Sequence, residues 1–178
     1  MKKLLYLQLL GNLIAQNFYE IKELKNDNGI YKVKTENKPA NGVVYAFVNS
    51  KKIRMGMIFN GKKHGRWIEW HPEKRRLDEN YEYGLLDGTT SLFYKNGQRE
   101  WRYTFNKNIL DGLYTKWYKN GKRAIEGLFE NGHPSGVWIW RNKLGEITKK
   151  KIYPSRRKEN FGKYKQYLYI QPTKHVTN

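Results

Sequence analysis

Five glycines, Gly42, Gly65, Gly88, Gly112 and Gly136, recur along this chain at intervals of 23, 23, 24 and 24 residues. Each opens the same phrase: glycine, a short β-rich run, a turn, a second β-rich run, and a return to glycine. The matched stretches are GRWIEWHPEK, GTTSLFYKNG, GLYTKWYKNG and GVWIWRNKLG, with GVVYAFVNSK as a weaker first copy. A period of this length predicts small units stacked one on the next rather than one wrapped core. Such a shape offers an extended surface and no closed catalytic cleft.

Within a unit, the residue five places after the glycine is aromatic in four copies, Phe47, Trp70, Phe93 and Trp117, and Arg141 in the last. Two places after the glycine stand Trp67, Tyr114 and Trp138. Strand side chains alternate between faces, so odd and even offsets point to opposite sides. The odd set (Val43, Tyr45, Phe47; Leu113, Thr115, Trp117) is the more consistently apolar and is assigned to the interior. Trp67, Tyr114 and Trp138 are then expected on the wetter face, interleaved with Arg66, Lys116 and Arg141 as a platform for a partner. The alternative is that this face is covered, or that its rings pack against Lys and Arg stems.

Asn-Gly within Lys95-Asn96-Gly97 and Lys119-Asn120-Gly121 predicts a type I′ hairpin turn, and a four-residue turn is expected to link each hairpin to the next. A lone hairpin is marginal in water, so each unit must borrow burial from its neighbours. Five hairpins side by side give about ten strands at ~4.8 Å, roughly 48 Å of twisted sheet. The expected fold is all-β: an elongated single antiparallel sheet of stacked β-hairpin repeats over 41–153, preceded by an entry segment over 17–40.

The N-terminus reads differently. Met1-Lys2-Lys3 is a cationic start, Leu4 to Ala15 is mostly apolar, and Ala15-Gln16 offers a small-residue cleavage point. Residues 1–16 are therefore expected to be a helical secretory signal segment, and the product exported, periplasmic or secreted for a bacterial source. An amphipathic helix packed on the fold is the alternative. Twelve residues span roughly 18 Å as a helix, short of a bilayer core of about 30 Å, so no transmembrane helix is expected in the mature chain. With no cysteine, disulfides and thiolate metal sites are excluded.

The chain carries 35 Lys and Arg against 16 Asp and Glu, a formal charge of +19. The excess is densest in residues 149–178, which hold nine basic residues and one acid. There Lys149, Lys150, Lys151 and Arg156, Arg157, Lys158 suit attachment to an anionic surface. Capping the stack with a polar outer face, over a basic cap or tail at 154–178, explains the same residues without a ligand.

Chemistry is hard to find. His64, Asp87, Asp111 and Ser135 precede successive glycines and supply the residue types of a hydrolase triad. Repeats two strands apart separate them by about 9–10 Å, too far for triad hydrogen bonds of ~3 Å. Such residues in turns ordinarily bond nearby backbone. His64, His71, His133 and His175 show no ligand spacing, and Glu69 beside Trp67 and Trp70 lacks the second carboxylate glycoside hydrolysis needs. No catalytic residue, cofactor or metal is expected.

The stretches Ile58–Trp70 (IFNGKKHGRWIEW) and Phe129–Trp140 (FENGHPSGVWIW) resemble the MORN repeat, in the variant form of bacterial proteins often labelled YwqK-type antitoxins. The copies at Gly88 and Gly112 keep the glycine, aromatic and Asn-Gly elements, Lys38–Val43 resembles the usual entry segment, and the likeness covers roughly 29–153. The resemblance implies stacked hairpins, and lipid contact, dimerisation, scaffolding or an antitoxin role. A non-enzymatic exported scaffold is the leading expectation. Charge-driven binding to anionic membrane or cell-envelope polymer, and immunity against a specific toxin, are its rivals. The partner is an unknown protein or anionic envelope component, and nucleic acid is not expected.

Overall fold

β-branched and aromatic residues fill residues 42–153 between glycine- or asparagine-bearing reversals, a composition that favours strands. The computed structural model describes residues 17–71 and 75–155 and folds them mostly as strands. These are β1 (Phe18–Glu20), β2 (Leu24–Asp27), β3 (Ile30–Val33), β4 (Gly42–Val48) and β5 (Lys51–Phe59). Then come β6 (Lys62–His71), β7 (Arg75–Glu82), β8 (Leu85–Leu86), β9 (Gly88–Phe93) and β10 (Arg99–Asn106). The last are β11 (Ile109–Leu110), β12 (Gly112–Trp117), β13 (Arg123–Glu130), β14 (His133–Arg141) and β15 (Ile147–Tyr153).

A 13-stranded sheet runs in the order β1-β4-β5-β6-β7-β9-β10-β12-β13-β14-β15, with β8 on β7 and β11 on β10. From β4 onward every pair is antiparallel, as the repeat predicts. The entry segment adds what the repeat does not: β1 pairs parallel with β4, making the sheet mixed, and β2 and β3 form a separate hairpin. Among the described residues the one helical piece is a 3-10 turn over Ile21–Glu23. The expected helical signal segment, with Ala15 and Gln16, lies outside the described residues.

The turns exchange places relative to expectation. Asn60-Gly61, Tyr83-Gly84, Lys107-Asn108 and Asn131-Gly132 have positive φ at both positions and close two-residue hairpins, the type I′ pattern. These turns link the units. At Tyr94–Gln98 only Gly97 has positive φ (84°), and its N–H donates to Tyr94 O at 2.9 Å. That is a type I turn closed by a left-handed glycine. Gly121 and Gly145 repeat it.

Both edges of the stack are tied at repeat spacing. The linking turns donate backwards, Gly84 N–H to Lys63 O and Gly132 N–H to Leu110 O at 2.8 and 2.7 Å. At the opposite tips Tyr94 Oη donates to Trp117 O at 2.9 Å and Tyr118 Oη to Arg141 O at 2.7 Å.

The interior lies on the even-offset face, opposite to the sequence assignment. Two places after each leading glycine stand Val44, Trp67, Thr90, Tyr114 and Trp138; all are buried except the half-buried Tyr114. Phe47 and Trp70, expected inside, are 53% and 45% exposed. Glycines that the punctuation pattern does not use explain the reversal. Trp67 lies across Gly56 and Trp138 across Gly127, where any Cβ would collide with the indole. Each indole N–H then reaches a backbone carbonyl, Trp67 to Met57 O at 2.9 Å and Trp138 to Leu128 O at 3.1 Å. The entry hairpin covers the first of these rings, with Tyr31 stacked on Trp67 and Leu24, Ala40, Val44 and Ile58 completing the core.

Candidate functional site

On the face opposite Trp67 the register sets an arginine across from three of the four offset-five rings, Arg76 from Trp70, Arg99 from Phe93 and Arg123 from Trp117, while Phe47 faces Lys52. The Arg76 guanidinium lies 4.0 Å from the Phe93 centroid, and Arg99 lies 5.5 and 5.4 Å from Phe93 and Trp117. Rings and guanidinium groups therefore alternate across the strands, and the stacking holds the long arginine side chains in place.

A second cross-strand row runs Asp78, Ser91, Arg102, Thr115, Glu126, Ile139, Lys150. Ser91 and Thr115 are short and buried, so Arg102 stands between low neighbours. Asp78 holds Arg66 and Arg76 at 2.7 and 2.9 Å, and Glu126 holds Arg123 and Arg141. Arg99 and Arg102 enter no ion pair among the described residues. The Nε of each is buried without a hydrogen-bond partner. Burial, and then the charges of Arg99 and Arg123, push the Arg102 pKa below its ordinary value. An oxyanion set between these forks would accept from their terminal N–H groups and relieve the like-charge crowding.

The proposed platform of Trp67, Tyr114 and Trp138 does not form: the two indoles are 0% and 7% exposed, and Tyr114 stacks on Tyr103 with centroids 4.6 Å apart. Burial, reinforced by Tyr103, raises the Tyr114 phenol pKa. The strand splits the run of lysines between faces. Lys149 and Lys151 lie beside Trp140 and Trp138, while exposed Lys150 pairs with Ile139 on the arginine face. Arg156, Arg157 and Lys158 lie outside the described residues.

The even-offset row has one gap. Where the other full units carry Trp67, Tyr114 or Trp138, and the weaker first copy Val44, the second full unit carries Thr90, and a cavity of ≈ 640 Å³ opens there. Trp101, Tyr103 and Phe105 of β10 form one wall. Leu77 and Glu79 of β7 form the other, and His71 and Arg75 sit at the rim. The Thr90 hydroxyl is buried without a hydrogen-bond partner among the described residues. Sequence reasoning missed this site, although a threonine at an aromatic position signals it.

The triad-type residues stay apart in role. Ser135 is fully buried and donates to Glu130 at 2.9 Å, and His64 Nδ1 accepts the Tyr83 N–H at 3.5 Å. Asp87 and Asp111 lie at strand interruptions, their N–H groups bonded to Asn80 O and Thr104 O. Glu69 is bound to Lys63. Among the described residues no group of three His, Cys, Asp or Glu is placed to hold a metal ion, and no helix is long and apolar enough to cross a membrane. Comparison with protein-family models and with curated proteins returns no match to this chain.

Proposed function

We propose that the chain is a non-enzymatic, exported interaction scaffold that engages an acidic polymer of the cell envelope through its arginine–aromatic face. The observation that carries this reading is the trio Arg99, Arg102 and Arg123, in which Arg102 meets like charges and pairs with no carboxylate among the described residues. Guanidinium forks match phosphate and carboxylate geometry and are costly to leave unpaired in a half-buried setting. Export rests on the cationic start and apolar run of residues 1–15. The stacked-hairpin resemblance agrees with a scaffold role, and it is the sole ground for an antitoxin role.

Titration with polyphosphate at rising salt tests the reading. Arg102→Gln is expected to weaken binding about tenfold, as loss of a charge-assisted pair does. Replacing Lys149 and Lys151 by Gln leaves the arginine face intact and should mainly reduce the salt dependence. Equal losses from the two variants would reduce the interaction to net charge. No binding by the native chain would overturn it. N-terminal sequencing of the mature product should begin near Gln16; retention of Met1 would overturn export.

A further inference from the structure

The gap at Thr90 lies on the opposite face from the arginines, and its chemistry is the reverse of theirs. The geometry points to a binding site for a small organic cation, an arylalkylammonium or alkylammonium group, seated over Thr90 between Glu79 and the aromatic wall of β10.

The site occurs where the repeat withholds a side chain. In the flanking units the position is filled by an indole or phenol that covers the neighbouring strand; here Thr90 is 4% exposed and contributes a threonine's volume. The register places Thr90 opposite Tyr103 and Leu92 opposite Trp101, and Leu77 pairs with Leu92 from the other side. The cavity is thus a trough along β9 with tall walls. Trp101 and Tyr103 meet edge to face at 5.0 Å and both line the cavity, Tyr103 with one face already stacked on Tyr114; aromatic rings attract a cation.

Charge decides the class of ligand. The Glu79 side chain is 12% exposed and accepts from Tyr81 Oη at 2.8 Å. Lys63 is bound to Glu69, with its Nζ 4.0 Å from Glu79, so one ammonium serves two carboxylates. Arg75, at the rim, is held by Glu100. His71 is the other titratable group at the rim and is exposed. Among the described residues Glu79 is the one carboxylate lining the cavity; its nearest cation is shared with Glu69 and Arg75 is taken up by Glu100, while Lys116, across from Trp101, is the further cation on this face. A partly desolvated carboxylate beside aromatic faces selects an ammonium over an anion or a neutral ring. Thr90 forms the floor, with its hydroxyl unpartnered among the described residues.

Calorimetric titration of the full chain with phenethylammonium, and with 3-phenylpropionate as the ring of opposite charge, tests the assignment. The cation is expected to bind with a Kd of about 1 mM or tighter, and the anion at least about tenfold more weakly. Glu79→Gln, which preserves shape, should weaken the cation about tenfold. Trp101→Leu should weaken it without affecting polyphosphate binding on the other face. Absence of cation binding, equal affinity for the two probes, or an unchanged affinity in both variants overturns the site. The arginine face stands or falls separately, because its probe is an anion.

Discussion

The indole of Trp138 lies across Gly127, eleven residues earlier, as Trp67 lies across Gly56, eleven residues earlier. Each pair joins a residue with no side chain to the largest one, and the indole N–H finds a carbonyl one residue beyond the glycine. The central units vary the pair: Tyr103 with Tyr114 stack, and Glu79 with Thr90 leave the cavity. The pair, more than the leading glycine, sets which face is interior.

Gly127→Ala is therefore expected to destabilise the fold by about 1–3 kcal/mol, the usual cost of overpacking. A methyl there would run into the six-membered ring of Trp138. Chemical denaturation of the variant measures the loss. A stability within experimental error of the native chain would show that the ring does not rest on this glycine.

The tip ladder makes a smaller, local contribution. Tyr118→Phe removes the bond to Arg141 O and is expected to cost about 1 kcal/mol. Asn120→Ala removes bonds to Lys122 N and Lys143 O and should cost a similar amount or more. Hydrogen exchange should show the opening near residues 142–146; global loss without local opening would contradict an inter-unit tie.

Alkaline pH should unfold the chain cooperatively. Burial, and then its bond to Glu79, raises the Tyr81 pKa, and burial also raises that of Tyr114. The folded state thus favours the neutral phenol, so this stability is fully present below the unfolded value of about 10 and is lost as pH rises above it. Absorbance of tyrosinate and circular dichroism should change together for these two half-buried residues. Full ionisation of all tyrosines near pH 10 in a still-folded chain would refute the buried environment.

Much of the architecture was legible because glycine and asparagine mark every reversal of the repeats but the one between β6 and β7, where His-Pro-Glu-Lys stands, and the 23–24-residue spacing survives substitution of the strand residues. The two-strand unit, its order and the antiparallel register all follow from that. The face was not legible from polarity alone. Phe47, Trp70, Phe93 and Trp117 look like a core, yet cross-strand arginines cover two of these rings and solvent meets the other two. Gly56 and Gly127 carried the deciding signal, spaced eleven residues before a tryptophan, but they stand outside the punctuation pattern. Asn-Gly likewise suits two kinds of hairpin loop, and the dipeptide does not distinguish them. The arginine trio was invisible because Arg99, Arg102 and Arg123 meet only when β10 and β13 flank β12.

The most direct measurement is the indole N–H spectrum of the chain as polyphosphate is added, with all six tryptophans assigned. The account predicts that Trp117, beside Arg99, shifts on binding, while Trp67 and Trp138 remain unshifted and slow to exchange with solvent. Shifts at Trp67 and Trp138, with Trp117 unmoved, would place the binding surface on the other side of the sheet and contradict the account.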